Sequence, residues 1–119
     1  MKKIIHVDNS EFFRKLMRTF LEKEGFEVES YDNAQEASFS IGAGSGDMVI
    51  MGLTFADIEG VDFVRKALDA FAGPVIVVSS SVNKTTEEDL VDLGIRSAIS
   101  KAGNWQEELK PHLAYLSKN

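Results

Sequence analysis

The sequence predicts an α/β domain built on a doubly wound parallel sheet, and three observations predict it. Short β-branched apolar runs alternate with stretches of helical period, five of each in turn. The runs at 48–51 and 75–78 are apolar at every position, as strands covered on both faces must be. Turn and cap residues, among them Ser10, Gly25, Asn33, Gly73-Pro74 and Gly94, punctuate the change of period. Strict alternation of strand and helix implies parallel strands joined by right-handed crossovers, with helices on both faces.

The elements follow in order. Residues 4–7 (Ile-Ile-His-Val) read as a buried strand ending at Asp8. Residues 10–24 read as a helix with Phe12, Phe13, Leu16, Met17, Phe20 and Leu21 on one face; Ser10 suits its N-cap and Gly25 its stop. Residues 26–30 alternate with period two, a strand with one wet face. Residues 33–41 form a short helix capped by Asn33, and the glycines of 42–46 turn the chain into a third strand at 47–51. A loop at 52–59 precedes a helix at 61–71 with Val61, Val64, Leu68 and Phe71 on one stripe.

Gly73-Pro74 breaks the chain before the most apolar strand, 75–78, which belongs at the sheet centre. A helix at 84–93 ends at Gly94, and 97–100 is a weak fifth strand. Asn104 and Glu107 give the last helix a capping-box-like start. Pro111, well inside it, predicts a kink or break, because proline lacks the N–H and clashes one turn back.

Composition narrows the function classes. The 119 residues fit one domain spanning 1–119, with neither linker nor repeat. A net charge of −6 argues against nucleic acid as a direct partner, and the basic cluster Arg14, Lys15 and Arg18 reads as a solvated helix face. The absence of cysteine excludes disulfides and thiolate metal sites, and two histidines, His6 and His112, make a zinc site unexpected. No run of 18 apolar residues spans a membrane, and the N-terminus does not read as a signal peptide, so a cytoplasmic location is expected. The glycine run at 42–46 precedes a strand, whereas a dinucleotide fingerprint follows one.

In open sheets of this kind ligands bind outside the carboxyl ends of the strands. The candidate residues there are Asp8 and Asn9, then 52–55, then Ser79 and Ser80, then Lys101. Asp8 and Asn9 offer oxygen ligands to a hard cation such as magnesium, or simply cap the next turn. The hydroxyl of Ser79 suits a phosphoryl oxygen or a local turn. The ammonium of Lys101 suits an anion or plain solvation.

Jointly these residues resemble the receiver domains of two-component response regulators, over essentially the whole chain. The resemblance is carried by Val7-Asp8-Asn9, by 48–51 with the loop to Gly60, by 74–80, and by Leu93-Gly94 followed by Lys101. It implies a flavodoxin-like (βα)5 sheet of strand order 2-1-3-4-5. Asp8 then matches one of two magnesium-holding acids, with Asn9 in place of the other. Ser79 matches the hydroxyl residue, and Lys101 the lysine, that contact the phosphoryl group; Ala102 replaces the proline that usually follows.

Two positions depart from that pattern. The acceptor aspartate falls on Gly52, so no carboxylate is present to take a phosphoryl group, and Ala98 stands where a Tyr or Phe acts as the switch. Magnesium binding is therefore expected to be weak or absent, since ligand charge and number set affinity. No cofactor is expected, and no enzymatic activity.

The favoured expectation is a receiver-like module working by phosphorylation-independent contact with a protein, such as a histidine kinase or an output protein. The face of the fourth helix, fifth strand and fifth helix would present Trp105 and Tyr115 as candidate anchors, with packing of Trp105 on the domain itself as the alternative. Two other readings are a phosphorelay receiver with another acceptor, for which Asp57 is the loop carboxylate, and a flavodoxin-like cofactor binder. The oligomeric state is open.

Overall fold

Five strands and five helices alternate along the chain in a computed structural model that describes residues 1–118. They are β1 (Lys3–Val7), α1 (Glu11–Lys23), β2 (Glu27–Tyr31), α2 (Ala34–Gly42), β3 (Met48–Met51), α3 (Gly60–Ala70), β4 (Val75–Ser79), α4 (Lys84–Leu93), β5 (Ser97–Ser100) and α5 (Trp105–Lys118). Every strand pair is parallel, and the order is β2-β1-β3-β4-β5, as expected for a doubly wound, flavodoxin-like α/β sheet. No described helix is long and apolar enough to cross a membrane.

Period two sorts the sheet residues between two cores. Ile5, Val7, Val49, Met51, Val75, Val77 and Ala98 point to one face and pack with α2, α3 and α4. Ile4, Met48, Ile50, Ile76, Val78 and Ile99 point to the other and pack with α1 and α5. Both faces of β3 and β4 are buried, which is why those strands carry no polar side chain before Ser79.

The helix ends follow ordinary capping chemistry. The side chains of Ser10, Asn33 and Asn83 accept from the backbone N–H three residues on. Gly25, just past α1, has φ +93°, a left-handed position that suits glycine.

Four helical expectations need correction. Only Phe13, Met17 and Leu21 of the α1 stripe are buried; Phe12 is 74% exposed and Leu16 is also exposed. The stripe holds two columns about 100° apart, and only one meets the sheet. In α3 the stripe read from sequence omitted Phe63, which is fully buried beside Val64. In α5 Pro111 causes no break: the helix runs unbroken from Trp105 to Lys118. Pro111 lies on the exposed side, where the carbonyl left without its N–H partner meets water, while Leu109, Leu113 and Leu116 hold the helix to the core. Glu107 pairs with Lys110 at 2.9 Å and not with the start of its helix.

His6 is the unexpected polar residue of the core. It is buried on the α1 side of β1, 6.1 Å from the Phe13 ring, and among the described residues neither ring nitrogen has a hydrogen-bond partner. Desolvation lowers its pKa from 6.5 to about 4; Asp8 opposes the shift, while Lys101, Arg14 and Arg18 add to it. The imidazole is thus neutral in the folded chain but protonates near its ordinary value when unfolded. The full stability is present above pH 6.5 and falls as pH drops from 6.5 toward 4. Urea titration should give a loss of about 2 kcal/mol between pH 7 and 5 that disappears in His6→Leu. An equal loss in both proteins would place the acid sensitivity elsewhere.

Candidate functional site

A parallel sheet brings the carboxyl ends of its strands to one edge, and register fixes what meets there. Val7 pairs with Met51, Met51 with Val77, and Ser79 with Ser100. Asp8, Gly52 and Lys101 each follow a strand, and Ser79 ends one. Two ladder bonds carry the alignment one residue further: Gly52 N donates to Val7 O at 2.9 Å, and Lys101 N to Ser79 O at 3.1 Å. Four of the residues singled out in sequence are thereby gathered at one edge.

At its centre is an ion pair. Asp8 is 1% exposed, and its Oδ2 lies 2.9 Å from Lys101 Nζ. Its Oδ1 accepts from Ser10 N at 2.8 Å, holding the start of α1, and its carbonyl accepts from Arg14 Nη1 at 2.7 Å. The Lys101 ammonium also sits 4.1 Å from the centroid of the Phe13 ring, whose face favours a cation. Arg14, expected on a solvated face, thus ties α1 to the end of β1. Arg18 does the same for β2 through Val28 O and Ser30 Oγ.

Gly52 makes room for this arrangement. A Cβ built there would stand 3.0 Å from Asp8 Oδ2 and 3.8 Å from Val78 O. Any side chain at 52 would press on the carboxylate that Lys101 now holds. Ser79 is buried, and its Oγ accepts from Ser81 N at 3.2 Å and lies 3.0 Å from Ser81 Oγ. It turns its own loop, the local role weighed for it from sequence. Asn9 is exposed.

As they stand, these groups present Asp8 Oδ2 as the buried carboxylate oxygen without a hydrogen bond among the described residues, with the Lys101 ammonium against it as an ion-pair contact. Asp8 Oδ1, in contrast, accepts from a backbone N–H. Position 52 supplies no side-chain oxygen, and among the described residues no three His, Cys, Asp or Glu side chains are grouped so that they could hold a metal ion. A hard divalent ion needs several oxygens and takes its affinity from their charge. Here the positive charge beside Asp8 Oδ2 is the Lys101 ammonium, at 2.9 Å.

The loop after β3 is built by packing and capping. A Cβ at Gly60 would stand 2.2 Å from Leu53 O, so glycine alone closes the loop there. Phe55 turns from the strand edge and meets Phe63 edge-on at 5.2 Å. Asp57 faces α2, accepting from Ala34 N at 3.3 Å and Gln35 N at 2.9 Å. Those backbone donors hold its carboxyl below the usual range. Nothing in the sequence marked this contact, because it joins residues more than twenty apart.

Ala98 is buried on the α4 side of β5. Trp105 is corrected as a surface anchor: it is 9% exposed, tilted against Phe13 at 5.0 Å and edge-on to Phe20 at 5.5 Å. Its large apolar area goes to fixing α5 on α1. Tyr115 is 46% exposed, with the Arg96 guanidinium 4.0 Å from its ring centroid.

Residues 4–113 match the family model described as the response regulator receiver domain. The KDP operon transcriptional regulatory protein KdpE of Escherichia coli (strain K12) is 27% identical over 85% of this chain. The nisin biosynthesis regulatory protein NisR of Lactococcus lactis subsp. lactis is 31% identical over 78% of it. The aligned region covers only 45% and 40% of those two proteins, so the chain spans less than half of their length. In fold the chain is similar to a CheY-like receiver domain from Methanospirillum hungatei JF-1, with a TM-score of 0.85, 24% identity, and coverage of 99% of this chain and 98% of that one. A two-component response regulator from Clostridium difficile gives a TM-score of 0.88 at 18% identity, covering 100% and 98%.

Removing the cation should expose the cost of the buried carboxylate. Lys101→Met is expected to destabilise the fold by about 2–3 kcal/mol, somewhat under the range for breaking a fully buried pair because the lysine is 22% exposed. Asp8→Asn added to Lys101→Met should recover part of that loss. A double variant no more stable than Lys101→Met would show that the two groups are not coupled.

Proposed function

Because the chain belongs to the family of response regulator receiver domains, the signalling modules of two-component systems, we propose that it acts by contact with a protein partner and carries no aspartyl phosphate. The observation that carries this reading is Gly52 set against Asp8, with the Lys101 ammonium on that carboxylate. Phosphoryl transfer to a receiver needs a carboxylate nucleophile in line with the donor and a cation to neutralise the developing charge. At this edge the strand that should offer the nucleophile offers a hydrogen atom. The lysine that should meet a phosphoryl oxygen is bound to Asp8. Asp57, the other loop carboxylate, is engaged at the start of α2. Ala98 supports the same reading, since a buried methyl group has no rotamer to exchange.

The family partners of receiver domains are histidine kinases and output proteins, and a protein of that kind is the partner proposed here. Contact through α1 is supported by the exposed column Phe12 and Leu16, continued by the half-buried Phe20 and rimmed by Lys15, Lys23 and Lys110. Contiguous apolar patches rimmed by polar residues are where protein partners commonly dock. Replacing Phe12 and Leu16 by serine should change the unfolding free energy by less than about 0.5 kcal/mol each, since neither supports the core. A larger loss would assign them to the fold.

The test of the phosphorylation claim is direct. Incubation with acetyl phosphate and magnesium, followed by intact-mass measurement, should give no stoichiometric adduct, and beryllofluoride with magnesium should leave the amide spectrum unchanged. A stoichiometric adduct would falsify the reading. The paired substitution Asn9→Asp with Gly52→Asp should raise magnesium affinity by about tenfold or more, by adding two carboxylates beside Asp8. No gain in a magnesium titration would mean that the three positions do not share a cation-sized space.

A further inference from the structure

Away from the strand-end pocket, one basic group lacks the partner that every other arginine has. Arg14 donates to a carbonyl, Arg18 to a carbonyl, a hydroxyl and a carboxylate, and Arg65 to a carboxylate. Arg96, just before β5, donates through Nε to His112 Nδ1 at 2.9 Å and stacks 4.0 Å from the Tyr115 ring centroid. Among the described residues no oxygen accepts from its guanidinium.

The two contacts hold the guanidinium at two points, Cζ over the Tyr115 ring and Nε at the imidazole. The side chain is exposed. The imidazole can accept only when neutral, and burial first, then Arg96 itself, lowers the pKa of His112. Both terminal nitrogens of the guanidinium are left with open donors in a planar fork, the shape that pairs bidentately with a carboxylate. A hollow of about 400 Å³ adjoins it, bounded by Ala72, Gly73, Pro74, Gly94 and Tyr115. Its small residues leave space for a partner backbone to approach.

We propose that Arg96, oriented by His112 and Tyr115, is a docking site for an aspartate or glutamate side chain of a protein partner. Orientation before binding removes part of the entropic cost of ordering a long side chain, which is where a lone surface arginine usually loses affinity. Arginine and tyrosine are also the residue types that most often dominate interface energies. The chain's charge of −6 disfavours a polyanion at the same place, whereas one carboxylate on a peptide meets little of that field. The site is independent of the phosphorylation pocket and would stand whether or not the chain can be phosphorylated.

The test follows the Arg96 Nε–Hε signal of the full chain by NMR. The titrants are N-acetyl-glutamate N-methylamide, the matching glutamine compound and inorganic phosphate. The glutamate compound should shift the Arg96 Nε–Hε and Tyr115 ring signals saturably, and the glutamine compound should not. Arg96→Lys keeps the charge but loses the fork, and His112→Phe keeps the guanidinium but loses its hold; each should weaken binding about three- to tenfold, read from the Tyr115 ring signals. Absence of a saturable shift with the glutamate compound overturns the proposal, as does undiminished binding by Arg96→Lys. Tighter binding of phosphate than of the glutamate compound overturns it in favour of a phosphate ligand.

Discussion

The contact between the Lys101 ammonium and the Asp8 carboxylate is the constraint around which the functional edge of this sheet is arranged. A carboxylate that is 1% exposed must be paired, and among the described residues the cation in ion-pair contact with its Oδ2 is Lys101. The pair joins the ends of β1 and β5 across the sheet. It also bears on position 52, because a Cβ there would meet Oδ2 at 3.0 Å and the carboxylate would have to shift slightly to admit one. Phe13 completes the enclosure by covering the ammonium, and the same ring packs on Trp105. The core residue Phe13 is therefore shared between the charge pair and the α1–α5 packing. His6 lies next to that ring, so one small region holds the buried charge pair and the buried neutral imidazole.

Most of the fold was legible because strands buried on both faces leave a strong signal. Continuous β-branched runs separated by capped helical stretches admit few arrangements other than a parallel sheet with crossovers. What sequence missed were matters of angle and solvent exposure. The double column of α1 reads as one apolar face, yet a helix resting on a flat sheet buries only the column with Phe13, Met17 and Leu21. Pro111 reads as an interruption, yet its exposed position allows water to satisfy the backbone it disturbs. Trp105 had two readings open, and proximity to Phe13 and Phe20 decided for packing.

The site was legible in its positions and opaque in its contacts. Asp8, Gly52, Ser79 and Lys101 could be placed at strand ends from the period and from the resemblance to receivers. Their pairing could not be read from sequence: an ammonium at the end of β5 is equally suited to a phosphoryl oxygen, to solvent or to Asp8. The contacts that decide among these span most of the chain. The role of Asp57 at the start of α2, and that of His112 beside Arg96, were equally hidden, since neither belongs to a local motif.

The central proposal is that Lys101 takes the place of a metal at the strand edge. It is tested most directly by adding manganese to the isotopically labelled natural chain and following paramagnetic broadening of its amide signals. Manganese prefers the same oxygen ligands as magnesium and broadens only what it approaches. The account predicts no selective loss of the signals of Asp8, Asn9, Gly52 and Lys101 at millimolar manganese. Selective, saturable loss of those signals would contradict it, because it would place a divalent cation where the ammonium is drawn.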